Sequence, residues 1–103
     1  MVLKDIIEFL EKRDPNIVCK WGFNDSHSYR GSYESLAFEP TKNITVGEML
    51  ACAREALGSE HHGYKGGNYI MDGYTDCYLA EYGSTGEEIG KILLHYMVGD
   101  VRG

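Results

Sequence analysis

Two stretches of this chain, thirty-five positions apart, carry nearly the same pattern. The first is His27-Ser28-Tyr29-Arg30-Gly31-Ser32-Tyr33, and the second is His62-Gly63-Tyr64-Lys65-Gly66-Gly67-Asn68-Tyr69. In each, a His is followed by a Tyr two residues on, then a cation, a Gly and a second Tyr. Each stretch leads to an apolar run holding Leu-Ala (Leu36-Ala37 and Leu79-Ala80). Each run then reaches a Thr with the signature of a helix start, Thr45-Val46-Gly47-Glu48 and Thr85-Gly86-Glu87-Glu88. Two copies of one strand-plus-helix unit would account for this, so the pattern predicts an internal ββα repeat. Each copy would present a basic, tyrosine-rich loop hinged on glycine.

Taken in order, the chain fills in the rest of such a fold. Val2, Leu3, Ile6, Ile7 and Leu10 recur at helical spacing, with Lys4, Asp5, Glu8, Glu11 and Lys12 on the opposite face. This predicts a helix over 2–13, stopped at Asp14-Pro15 because a residue before proline is pushed out of the α region. Ile17 to Trp21 reads as a strand, 22–32 as a loop or wide hairpin tip, and Tyr33 to Phe38 as a second strand broken by Glu39-Pro40. Thr45 and Glu48 make a capping box, with Ile44 as its hydrophobic staple. The helix they open runs through Met49, Leu50, Ala53, Ala56 and Leu57 to a left-handed stop at Gly58. Asn68 to Met71 and Tyr74 to Tyr82 read as a hairpin turned at Asp72-Gly73. A last helix from the second capping box shows Ile89, Ile92, Leu93, Tyr96 and Met97 as its apolar face. Val98 onward reads as a fraying tail.

The sum is a single α+β domain, 1–103, of order α-ββ-α-ββ-α, with three helices on a four-stranded, mainly antiparallel sheet. Three helices crowd one face of so small a sheet. An apolar flank left over would favour a homo-oligomer.

Composition bounds the partners. A formal net charge of −6 argues against a nucleic-acid backbone binder, which needs clustered cations. It leaves room for one small anion held by local Lys and Arg. Eight tyrosines against three phenylalanines suit a binding surface, since Tyr offers flat contact area with a hydrogen-bonding tip. Cys19, Cys52 and Cys77 are odd in number with no Cys-x-x-Cys spacing, as expected of buried thiols in a reducing cytoplasm. No apolar run approaches bilayer length, so no membrane partner is expected.

No familiar catalytic or metal pattern appears. His61, His62, Cys77 and His27 lack metal-ligand spacing, and no metal or other cofactor is expected. A small hydrolase would use His27 or His62 as base, oriented by Asp25 or Glu60. Lys65-Gly66-Gly67 is not a phosphate loop of the Walker type, but a cation beside glycine lets backbone N–H groups approach an anion. Arg30-Gly31 offers the same, with a planar fork suited to phosphate. The residues expected to bind are therefore His27, Tyr29, Arg30, Gly31, Tyr33, His62, Tyr64, Lys65, Gly66, Gly67 and Tyr69, acting on a nucleotide-like ligand.

Three segments resemble small proteins encoded by bacteriophages and prophages: Tyr29 to Pro40, Val46-Gly47-Glu48-Met49-Leu50, and Gly63-Tyr64-Lys65-Gly66-Gly67. The chain is similar in outline to the Thoeris anti-defence sponge proteins. That resemblance implies a compact oligomeric α+β protein in the host bacterial cytoplasm that sequesters a cyclic ADP-ribose-like signal without cleaving it. It carries over no individual residue. The other readings are a protein-binding inhibitor of host defence, anti-CRISPR-like, acting through acidic surface and tyrosines, and the small His-dependent hydrolase.

Overall fold

The computed structural model describes residues 1–29, 32–62, 68–82 and 85–99, with backbone alone at 28, 29, 32–34, 61, 62, 68, 69, 81, 82 and 85. Helix α1 (Leu3–Glu11) buries Leu3, Ile6 and Leu10 as the apolar spacing predicts and adds Phe9, while Val2 and Ile7 are only half-buried. It ends before Asp14-Pro15 as expected, and the Asn16 N–H donates to Asp14 Oδ1 at 2.9 Å. Arg13 folds back over the helix end. Its guanidinium lies 3.5 Å above the Phe9 ring and donates to the Phe9 carbonyl.

Strands β1 (Val18–Tyr29) and β2 (Ser32–Thr45) form a long antiparallel pair. Both outrun the sequence reading. Residues 22–29 continue β1 instead of looping, and β2 passes through Pro40 without a break. The ladder supplies the reason. Backbone pairing needs no apolar side chain, and β1 is an edge strand, so a polar run is at no disadvantage there. Pro40 sits opposite Phe23, beyond the stretch of β2 that pairs with its other neighbour, so its missing N–H is not required. A bulge between Asn24 and Ser26 absorbs Asp25, whose φ is 46°.

Helix α2 (Val46–Ala56) follows at once, and its capping box is complete: Glu48 N–H donates to Thr45 Oγ1, and Thr45 N–H to Glu48 Oε2, both at 3.1 Å. The staple is formed too. Ile44 and Met49 converge on Gly22 of β1, where a Cβ would lie 2.6 Å from Ile44 Cγ2 and 2.7 Å from Met49 Sδ. Gly58, at φ +81°, turns the chain out of the helix as expected.

Strands β3 (Glu60–His62) and β4 (Asn68–Ile70) then make a separate two-stranded ladder. Strands β5 (Cys77–Tyr82) and β6 (Thr85–Glu88) complete a main sheet of order β1-β2-β5-β6. Here the predicted hairpin is corrected. Asp72-Gly73 does form a turn, with Tyr74 N–H donating to Asp72 Oδ1 at 2.8 Å. It delivers the chain to β5, which lies parallel to β2 and not beside β4. A second correction concerns the last helix. Thr85 to Glu88 pair with β5 as a strand, and α3 (Lys91–Met97) starts only after Gly90. It buries Leu94 and Met97, while Ile92 and Tyr96 face solvent. Val98 belongs to the core, and the chain leaves the helix at Gly99 with φ +76°.

The main-sheet strands and the helices keep the predicted order α-ββ-α-ββ-α, and the fold is α+β with one parallel pair in a mostly antiparallel sheet. Phe23 and Phe38 pack ring to ring at 4.5 Å in a core shared with Leu3, Ile6, Leu36 and Met49. Among the described residues no helix is long and apolar enough to cross a membrane.

Candidate functional site

Both like segments lie on antiparallel strand pairs. In the first, Tyr29 closes β1 opposite Ser32, and Tyr33 follows near the start of β2. In the second, His62 ends β3 opposite Asn68, and Tyr69 lies on β4 opposite His61. Arg30, Gly31, Tyr64, Lys65, Gly66 and Gly67 fall outside the described residues. Strand β4 comes within 8 Å of β2, Cα to Cα.

His27 is the candidate whose side chain can be followed. It is half-buried, and its Nε2 lies 2.7 Å from Glu39 Oε1. The partner at Nε2 is Glu39, where the sequence pointed to Asp25 or Glu60. Glu39 comes in because β2 continues beyond Phe38: His27 pairs with Ala37, and Glu39 is the diagonal neighbour two residues along. The signal was available in the sequence as a His and a Glu twelve apart about Arg30-Gly31. It becomes readable only once residues 22–29 are taken as strand.

The bulge beside His27 has its own chemistry. The backbone of Asp25 and Ser26 favours the thiolate of Cys52 on α2, but burial outweighs it. Burial first, then the charges of Asp25 and Glu55, push the Cys52 thiol up to about 11. A thiol so held is protonated at neutral pH and is a poor nucleophile. Cys77 is buried deeper and pushed up to about 12, chiefly by desolvation, with its Sγ 3.5 Å from the Thr75 carbonyl. Cys19 is raised by burial as well. All three are free thiols.

Among the described residues no three His, Cys, Asp or Glu side chains gather as a metal-ligand set. Comparison with protein-family models, curated proteins and solved structures finds no match to this chain.

Proposed function

We propose that this chain is a non-enzymatic binding protein that captures a small phosphorylated nucleotide, cyclic ADP-ribose-like, between its two tyrosine-rich segments. The approach of β4 to β2 supports the reading, because each of these strands begins within one of the two segments. In this reading Arg30 grips a phosphate through its planar fork and Lys65 adds a point charge. Tyr29, Tyr33, Tyr64 and Tyr69 stack on or border the base, and His27 and His62 form hydrogen bonds to the ligand. Gly31, Gly66 and Gly67 allow close approach of backbone N–H groups. Two cations suffice for a small anion even in a chain of net charge −6. The resemblance to phage-encoded proteins supports a phage source and capture of a host defence signal in the bacterial cytoplasm by a homo-oligomer.

Calorimetric titration with a cyclic ADP-ribose isomer tests this. Saturable binding is expected, weakened by Arg30→Ala and by Lys65→Ala, with the nucleotide recovered chemically unchanged after heat release. An altered nucleotide would transfer the case to a hydrolase with His27 as base and Glu39 as its orienting acid. Absence of binding, with a host protein co-purifying in stoichiometric amount, would favour the protein-binding inhibitor.

A further inference from the structure

Four large apolar side chains stay in solvent on one flank: Val18 (64 % exposed), Trp21 (45 %), Ile92 (88 %) and Tyr96 (64 %). They are contiguous. Val18, Trp21 and Tyr96 line a groove of about 400 Å³ between β1 and α3, and Ile92 and Tyr96 line a second, of about 390 Å³, beside β6. Tyr96 is the ridge common to both. Apolar side chains scattered singly over a surface need no partner, whereas a continuous strip marks an interaction site.

Among the described residues, charge along the strip is ordered. At the β1 end, Lys20 lines the first groove and Lys42 Nζ sits 4.8 Å from the centre of the Trp21 ring. At the far end, Glu87 and Glu88 line the second groove. Glu88 pairs with the Met1 amino group at 3.2 Å, which leaves Glu87 as the acid available to a partner. Lys91, next to Ile92 in sequence, lines a different cleft between α1 and α3 and does not cancel this polarity.

A strip that is apolar in the middle, cationic at one end and acidic at the other is complementary to itself after a half-turn. We infer that this flank is the interface of a homodimer, two copies of this chain related by a two-fold axis beside Tyr96. Lys20 and Lys42 of each copy then face Glu87 of the other, and the apolar residues close over one another. The inference is independent of the ligand reading, since no residue of the strip belongs to either tyrosine-rich segment.

Trp21 is the single tryptophan, so its fluorescence reports on the strip directly. Sedimentation at high micromolar concentration should give twice the 11.6 kDa chain mass, with Trp21 emission moving to the blue as concentration rises. Tyr96→Asp should weaken association roughly thirtyfold, the loss expected of a central anchor, with unchanged circular dichroism. Should that variant misfold, Ile92→Asp serves, because Ile92 is too exposed to disturb the core. Lys20→Glu and Glu87→Lys should each weaken the dimer alone and form a one-to-one heterodimer when mixed. A monomer at every concentration, with Trp21 emission constant, would overturn the inference and leave the strip to a different protein. A dimer indifferent to Tyr96→Asp and Ile92→Asp would also overturn it, since association would then use another face. A mixture of the two charge variants that stays monomeric would overturn the two-fold register.

Discussion

His27 and Glu39 meet diagonally across the β1–β2 ladder, Nε2 to Oε1 at 2.7 Å, although the register sets His27 opposite Ala37. Both side chains are part-exposed, at 31 % and 45 %, so the pair orients the imidazole more than it stabilises the fold. Glu39→Gln should therefore cost no more than about 1 kcal/mol in urea unfolding. In the same variant, the nucleotide capture proposed above predicts an affinity about tenfold lower by calorimetry, as expected when a hydrogen-bonding group loses its orienting partner.

Gly22 is required by space. A Cβ there would press on the branched carbon of Ile44 and the sulfur of Met49, the two residues that staple α2 to the sheet. Gly22→Ala should destabilise by about 1–3 kcal/mol, the usual cost of overpacking a core. Equilibrium chemical denaturation followed by circular dichroism measures it. Met49→Ala in the same background should relieve part of the strain, giving less loss than the sum of the two single changes.

The two Thr-x-x-Glu segments should respond differently to the same change. Thr45→Ala removes a formed cap and should cost about 1 kcal/mol. Thr85→Ala should cost less, because Thr85 lies on the edge strand β6 and caps no helix. Thermal unfolding of the two variants side by side decides it.

Burial raises Cys52 to about 11 and Cys77 to about 12 from an ordinary 9.0. Above pH 9 the unfolded chain loses these protons while the folded one keeps them, so stability falls as pH rises from 9 toward 11 and 12. Below pH 9 both states are protonated and the two thiols contribute no slope. Cys77→Ala should flatten the alkaline decline relative to the parent, although it lowers stability at pH 7 through lost packing. Denaturation midpoints from pH 7 to 11 give the comparison, and the tyrosines, present in both proteins, cancel in the difference.

The sequence by itself determined the helix boundaries that depend on neighbours a few residues away. Asp14-Pro15 stops α1, Thr45 and Glu48 start α2 within one turn, and Gly58 releases it, because the physics of caps and stops acts over three or four residues. It also determined the α+β order, but it read His27 as part of a loop where the structure continues β1. Tertiary structure alone decided which strands pair. The β4–β5 hairpin read from Asp72-Gly73 gave way because β5 finds β2, some forty residues earlier, and an edge in a buried sheet outweighs a local turn preference. The same competition turned Thr85 to Glu88 from helix start to strand, since pairing with β5 satisfies backbone groups that a capping box would have served. Glu39 reached His27, and Trp21 joined Ile92 and Tyr96 on one flank, for the same reason. Those contacts are fixed by register and packing between distant segments, and no window of neighbouring residues contains that information.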